Sequence, residues 1–285
     1  MSTIKVGQEN SMPIELYYED HGKGGRTVVL IHGWPLSGAS WEKQVATLLA
    51  ADCRVITYDR RGFGRSSQPS TGYNYDTFAE DLKQVLDKLD LRDIALVGFS
   101  MGGGEVARYL GTHGSMRVAK AAFLGSIPPY LRKASDNPEG VDPAIFDGIQ
   151  KAIAADRPAF MTEFFKNFYN FDVLGGTRVS KEVLHLSWNV AMMASAKGTI
   201  DCVPAWGTDF RKDLQKIDVP TLVMHGEQDR IVPFAASGAR TAKAVRGARL
   251  VTLKDGPHNI AWTHAEEVNR ELVSFITQDS PVGAA

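Results

Sequence analysis

The residues best suited to chemistry lie in one short glycine-rich segment, residues 98–102, which reads GFSMG. This GxSxG pattern follows a predicted strand over 94–97 and precedes a predicted helix over 105–111. Glycine is needed on both sides of the serine because a side chain there would collide with neighbouring backbone in a tight strand-to-helix turn. Such a turn exposes Ser100 at the carboxyl end of a sheet, and the helix N-terminus below it stabilises negative charge. This context predicts that Ser100 is a nucleophile.

A serine hydroxyl is a poor nucleophile at neutral pH, so Ser100 needs a histidine as its base. Of the seven histidines, His258 lies after the last predicted strand (250–253) and before the last predicted helix (265–276). That loop belongs to the carboxyl end of the sheet, the same edge as the GxSxG turn. His258 is therefore the predicted base. His225, at a strand end, is interpreted as a buried histidine whose hydrogen bonds are satisfied.

The acid that orients the histidine is expected in the loop after the predicted strand over 221–224. This expectation follows the chain order of serine, acid and histidine that accompanies the nucleophile turn. Glu227 and Asp229 both lie in the loop. Asp229 is preferred because the residues after it lead into the next helix, and Glu227 remains the alternative. The predicted catalytic triad is thus Ser100, Asp229 and His258.

Attack by the serine also requires two N–H donors for the developing oxyanion. The backbone N–H of Met101 is one candidate because it follows the nucleophile. The other is the N–H of Trp34, in the loop after the predicted strand over 28–31, since Pro35 has no N–H to offer. Pro35 also restricts Trp34 and so sets where the Trp34 carbonyl points. That carbonyl could accept a hydrogen bond from hydrogen peroxide, or Pro35 could serve only to stiffen the loop.

Short apolar runs alternate with helical patterns along most of the chain. Continuous runs such as 94–97 are typical of strands that are buried on both faces. Strands that alternate with helices predict an α/β fold, with a mostly parallel central sheet flanked by helices. The predicted strands cover 14–20, 28–31, 53–58, 94–97, 118–124, 221–224 and 250–253, and the main predicted helices cover 41–50, 75–89, 105–111 and 265–276.

The alternation is interrupted between residues 127 and 212 by two helical segments that are rich in aromatic residues. We interpret this stretch as a helical cap, inserted over one edge of the sheet. The predicted division is a core made of 1–126 and 213–285 and a cap made of 127–212. Most of the aromatic side chains of the cap are interpreted as packing residues, because aromatic residues dominate protein cores.

Composition excludes several classes of protein. The chain has 285 residues, of which 44% are hydrophobic and 23% charged, and its net charge is −1. These values exclude a disordered or fibrous chain and give no basic surface for nucleic acid or a membrane. Cys53 and Cys202 form no cluster with histidine, so no metal site is expected. The first ten residues lack the apolar segment of a signal peptide, which predicts a cytoplasmic protein.

Whole segments of the chain resemble the cofactor-free haloperoxidases, or perhydrolases, of the α/β-hydrolase superfamily. Aryl esterases and γ-lactamases are close to this group. The run LVGFSMGGGEVARYLG (96–111) is much more specific than GxSxG alone. The other matching segments are HGWPLSG (32–38), YDRRGFGRSSQP (58–69), YDTFAEDL (75–82), NPEG (137–140), FDGI (146–149), TDFRKDL (208–214), VPTLVMHG (219–226) and GPH (256–258).

The resemblance implies the same triad and oxyanion hole that the residues themselves predict, and it adds a substrate pocket. It also implies that neither a cofactor nor a metal is needed, and that the protein is a homo-oligomer, with a trimer as the suggested form. Asn259 departs from the family pattern because a glycine usually follows the histidine. The predicted pocket residues are Pro35, Ile127, Ile231 and Phe234.

The function implied is that of a serine hydrolase with perhydrolase activity. An acyl-serine forms from a small ester, amide or carboxylic acid, and the acyl group passes to water or to hydrogen peroxide. The resulting peracid, rather than the enzyme, oxidises a halide. One alternative is a carboxylesterase or γ-lactamase in which peracid formation is incidental. Another is a non-catalytic receptor built on a hydrolase fold, since a fold alone does not establish a function.

Overall fold

The computed structural model describes residues 2–278, which fold around an eight-stranded sheet. The first two strands pair antiparallel with each other at one edge, and the second is also antiparallel to the fourth. The remaining pairings are all parallel, as predicted. The strands are β1 (Thr3–Glu9), β2 (Met12–His21), β3 (Arg26–Ile31), β4 (Cys53–Tyr58), β5 (Ile94–Phe99), β6 (Val118–Leu124), β7 (Thr221–Gly226) and β8 (Arg249–Leu253), in the spatial order β1-β2-β4-β3-β5-β6-β7-β8.

Burial explains which strands the sequence reveals. Every residue of β5 is buried, as is every residue of β7, and both were predicted from continuous apolar runs. Strand β1 was missed because it lies at the edge of the sheet. Only Ile4 is buried there, so the strand carries neither a continuous apolar run nor a clear alternation.

Helices flank the sheet, and α1 packs against α11 while α2 packs against α3. Local signals explain α2: the Asn74 side chain accepts a hydrogen bond from the Thr77 N–H (3.0 Å), and apolar residues at helical spacing bury one face. The helices are α1 (Glu42–Ala50), α2 (Tyr75–Lys88), α3 (Met101–His113), α4 (Pro143–Phe168), α5 (Phe171–Leu174), α6 (Lys181–Met192), α7 (Ala196–Ala205), α8 (Arg211–Leu214), α9 (Gly238–Ala244), α10 (Ile260–Thr263) and α11 (Ala265–Thr277).

Helices α4 to α8 lie between β6 and β7, within the stretch interpreted as a cap. Helix α4 is interrupted at Asp156, whose backbone is not helical (φ −157°, ψ 87°). The Asp156 side chain accepts a hydrogen bond from the Ala159 N–H (2.9 Å) and so caps the second half of the helix. Pro158 lies near the start of that half, where a missing N–H is tolerated. The boundaries of the cap at 127 and 212 remain a prediction.

No helix within residues 2–278 is both long enough and apolar enough to cross a membrane.

A buried ion pair joins the loop after β4 to helix α3. Arg60 Nε donates to Glu105 Oε2 (2.7 Å), and both side chains are almost fully buried. Tyr58 donates to the other carboxylate oxygen of Glu105. Arg60 also donates to the His32 carbonyl (2.9 Å). These bonds connect β3, β4 and α3 just below the GxSxG turn, so the positions of their loops depend on one another.

We expect Glu105→Ala to lower the free energy of unfolding by about 3–5 kcal/mol, because it leaves the Arg60 charge buried without its partner. Chemical denaturation measures the loss. Lys83→Ala is the control, since Lys83 forms a half-exposed pair with Asp87 (2.5 Å) whose loss costs at most about 1 kcal/mol. Equal losses in the two variants would contradict the structural role of the buried pair.

Candidate active site

Ser100 occupies the turn between β5 and α3 with a left-handed backbone (φ 54°, ψ −118°). The turn is too tight for neighbouring side chains. A Cβ on Gly98 would lie 2.5 Å from the Gly102 carbonyl oxygen, and one on Gly102 would lie 2.2 Å from the Ile31 carbonyl oxygen. Both glycines are therefore required by close backbone approach. Strain of this kind at a non-glycine residue is typical of functional positions.

The structure brings Ser100, His258 and Asp229 together, although they are far apart in the chain. His258 Nε2 lies 2.9 Å from Ser100 Oγ, and His258 Nδ1 lies 2.7 Å from Asp229 Oδ2. All three residues are buried. Each contact has the length of a hydrogen bond, so the chain of contacts has the geometry of a nucleophile, a base and an orienting acid.

Asp229 is held as a carboxylate by the groups around it. Its Oδ1 accepts hydrogen bonds from the backbone N–H groups of Ile231 (2.9 Å) and Val232 (2.8 Å). Burial acts to raise the pKa of Asp229, but His258 and His225 outweigh burial and hold it below its usual range. Glu227, the alternative acid, is exposed, and no side-chain contact links it to His258. Geometry therefore favours Asp229.

Two aromatic rings enclose the His258 imidazole. The centre of the Phe99 ring lies 5.0 Å from the centre of the imidazole, with 41° between the ring planes. The centre of the Phe168 ring also lies 5.0 Å away, with 71° between the planes. Phe168 was interpreted only as a packing residue of the cap. Its ring restricts the imidazole and keeps water from its edge, so the cap takes part in orienting the histidine.

The loop that carries Trp34 is held in place by His32. His32 Nδ1 donates to the Gly33 carbonyl (2.9 Å), while His32 Nε2 accepts from the Arg60 N–H (2.9 Å). Burial and the Arg60 guanidinium hold the pKa of His32 well below its usual range, so the ring is neutral. Within residues 2–278, the backbone N–H groups of Trp34 and Met101 donate to no other protein group. Both are therefore available to a bound oxyanion.

A cavity of about 260 Å³ opens in front of Ser100. Of the four residues predicted for a substrate pocket, Ile127 and Ile231 line this cavity, whereas Pro35 and Phe234 do not. Trp34 lines the cavity, and Phe234 packs instead against His225 (5.6 Å between rings). The apolar lining consists of Trp34, Ile127, Leu131, Val141, Ile145, Phe146, Ile149, Phe160, Phe164, Trp206, Ile231 and Val232.

Most of this wall comes from cap residues that sequence reasoning did not assign to the site. Phe160, Phe164 and Phe168 recur every four residues, so they share one face of α4. This spacing is the signal that could have identified them. The Trp34 ring lies 5.2 Å from Phe164 and 4.8 Å from Trp206, which makes it part of the same aromatic wall.

Asn259, where the chain departs from the resemblance, connects the histidine loop to the cap. Its backbone N–H donates to the Phe168 carbonyl (3.1 Å), and its side-chain amide donates to the Tyr169 hydroxyl (3.1 Å). That hydroxyl also bonds Ser187 on α6 (2.7 Å). These bonds fix the end of α4 over His258.

We searched the described part of the chain for side chains that could bind a metal ion. Among residues 2–278, no three His, Cys, Asp or Glu side chains lie close enough to hold an ion together. Cys53 and Cys202 are both buried free thiols.

Comparison with known proteins identifies the family of the chain. Residues 26–265 match the family model described as alpha/beta hydrolase fold. A Synechocystis sp. protein with a provisional non-heme chloroperoxidase name is 59% identical, with 97% of this chain and 100% of that protein aligned. The bifunctional esterase/perhydrolase of Acinetobacter calcoaceticus is 37% identical, with 92% and 96% aligned. The crystal structure of bromoperoxidase from Bacillus anthracis has a TM-score of 0.93 and 50% identity, covering 97% of this chain and 99% of that one.

The family model covers most of the chain, and the relatives are similar over nearly their full lengths. Both findings show the family to which the chain belongs. The protein is therefore an enzyme of the α/β-hydrolase family, of hydrolase or perhydrolase type, and belongs to its group of non-heme haloperoxidases.

Proposed function

We propose that Ser100 is the nucleophile of an acyl-transfer reaction, with His258 as its base and Asp229 as the acid that orients the base. The observation that carries this proposal is the unbroken chain of contacts from Ser100 Oγ through His258 to Asp229, at 2.9 and 2.7 Å. His258 Nε2 takes the hydroxyl proton as the oxygen attacks the acyl carbon. Asp229 holds the proton on Nδ1 and stabilises the imidazolium that forms.

The tetrahedral intermediate then needs its negative charge stabilised. The unengaged N–H groups of Trp34 and Met101 are the donors that we propose for it. Met101 begins α3, so the partial positive charge of the helix N-terminus supports the same charge. When the intermediate collapses, His258 returns its proton to the departing alcohol or, for a carboxylic acid, to the departing hydroxide. The product left on the enzyme is an ester of Ser100.

The acyl-serine can react with either of two small molecules. Water, deprotonated by His258, releases the carboxylic acid, whereas hydrogen peroxide, deprotonated in the same way, releases a peracid. In solution the peracid transfers one oxygen to a halide and yields a carboxylate and a hypohalous acid. The Acinetobacter relative, named as both an esterase and a perhydrolase, supports the use of both acceptors.

The cavity favours substrates that are uncharged and apolar near the reacting carbonyl. Its charged lining residues, Glu163 and Arg230, already pair with Lys166 (2.7 Å) and Asp172 (2.8 Å). The remaining wall is mainly aromatic and aliphatic, so a charged acyl group would lose hydration without gaining a free partner. We propose small apolar esters as the substrate class.

Two further expectations, on the oligomeric state and on the cellular location, remain predictions. We expect a homo-oligomer, with a trimer as the form to test, and light scattering on the purified protein measures its mass. We expect a cytoplasmic location, which fractionation of the source cells would test.

We expect Ser100→Ala to abolish ester hydrolysis and peracid formation together, because both pass through the same acyl-serine. Rates of p-nitrophenyl acetate cleavage and of peroxide-dependent bromination with acetate measure the two reactions. A fluorophosphonate probe should label the native protein and not the variant. Bromination that survives in pure Ser100→Ala protein would reject the mechanism, and failure of the native protein to react would favour a non-catalytic receptor.

We expect Asp229→Asn to lower kcat by about 10⁴-fold with little change in KM, as in the serine protease triad, because an amide does not hold the histidine in the required tautomer. Glu227→Gln is the matched control: it makes the same change in the same loop on an exposed side chain, and should retain full activity. If Glu227→Gln is the crippling change, the assignment of the acid is wrong.

We expect kcat/KM for p-nitrophenyl butyrate to exceed that for the p-nitrophenyl hemiester of succinic acid by about 100-fold or more, because the succinyl group brings a second, charged carboxylate into an apolar cavity. Steady-state kinetics at one pH compare the two, and a γ-lactam in the same series tests amide cleavage. Comparable values for the two esters would show that the cavity does not select against charge.

A further inference from the structure

A second histidine besides His258 contacts the Asp229 carboxylate. His225 Nε2 lies 3.1 Å from Asp229 Oδ2 and 2.9 Å from the Val232 carbonyl oxygen. The side chains of His225 and Asp229 are both fully buried. The contact is thus shielded from water. In such a buried environment a hydrogen bond to a charged group is stronger than in water.

The surroundings of His225 determine which ring nitrogen carries the proton. Both atoms that face Nε2 can only accept, so Nε2 carries the proton. It donates to the Val232 carbonyl, and Asp229 Oδ2 lies within reach of it at 3.1 Å. Nδ1 is buried and has no partner among the described residues, contrary to the expectation that His225 is fully satisfied. Gly238 lies directly against it, since a Cβ there would be 2.5 Å from Nδ1. The Gly238 backbone therefore holds the ring with Nε2 on the side of Asp229 and of the Val232 carbonyl.

With His225 included, four N–H groups surround the two carboxylate oxygens of Asp229. Oδ1 accepts from the backbone N–H groups of Ile231 and Val232. Oδ2 accepts from the His258 imidazole, and His225 Nε2 lies 3.1 Å from the same oxygen. Rotation of the carboxylate would break bonds on both oxygens at once, so its orientation toward His258 is over-determined.

We propose that His225 is a positioning residue, whose Nε2–H fixes Asp229 Oδ2 in the direction that orients His258. This inference rests on the proposed function of the Ser100, His258 and Asp229 set. His225 reaches the reacting atoms only through Asp229 and does not line the cavity. Its loss should therefore affect the rate of the chemical steps more than the binding of substrate.

The primary test compares His225→Leu, which removes the donor at similar volume, with His225→Gln, whose amide N–H extends about as far as Nε2. On p-nitrophenyl acetate, we expect His225→Leu to lower kcat by about 10-fold or more, with KM changed by less than about 2-fold. We expect His225→Gln to recover most of kcat. If His225→Leu does not fold, His225→Asn replaces it, because its shorter amide stays polar but does not reach Asp229.

A second test separates positioning from general packing. In a protein that already carries Asp229→Ala, His225→Leu should cause no further loss of kcat, because His225 then has no carboxylate to hold. His264→Leu is the matched control: His264 is another buried histidine, and its Nε2 bonds the Lys254 carbonyl (3.2 Å) rather than a catalytic group. His264→Leu should lower the thermal midpoint and leave kcat unchanged.

Several results would overturn the inference. Equal kcat for His225→Leu and the native protein would do so, as would a His225→Gln variant no better than His225→Asn. A further loss on the Asp229→Ala background would assign His225 a purely structural role. These outcomes are distinct from failure of the proposed function, which full activity of Asp229→Asn would reveal.

Discussion

The tight turn at Ser100 is the constraint on which the rest of the site depends. The serine backbone lies in a left-handed conformation that costs free energy, and it persists because β5 and α3 are packed around it. Gly98 and Gly102 allow backbone to approach backbone closely enough for that packing. The contact of Gly102 with Ile31 places the end of β3, and hence the loop that bears Trp34, directly beside the nucleophile.

Trp34 joins this core to the helices above it. Its backbone N–H has no acceptor among residues 2–278, while its indole N–H donates to the Thr199 carbonyl on α7 (3.1 Å). Its ring packs against Phe164 and Trp206. One residue thus belongs both to the proposed oxyanion site and to the wall of the cavity. A change in the cap that moves the indole would also disturb the donor, so selectivity and rate are coupled.

Polar contacts hold the loops of the site at fixed positions relative to one another. Arg60 connects Glu105 below the turn with the His32 carbonyl, so α3 and the loop after β3 share one ion pair. At the other end, Asn259 ties the histidine loop to Tyr169. Asn170 donates to the Gln228 carbonyl (2.8 Å), and this bond joins the loop that bears Asp229 to the cap as well. The bonds of Arg60 and Asn259 are buried, and the loss of one partner there would leave a polar group without water or protein to bind, which is costly.

The sequence by itself determined the features that depend on neighbours in the chain: the GxSxG turn, the buried parallel strands, and the loops that bear Asp229 and His258. Their signals are local because glycine geometry and apolar periodicity are local properties. Only the tertiary structure decided which side chains meet across those loops. In the folded chain Phe234 packs against His225, Trp34 and residues of the cap line the cavity, and His225 contacts Asp229. Such contacts depend on long-range packing and side-chain rotamers, which no spacing along the chain encodes.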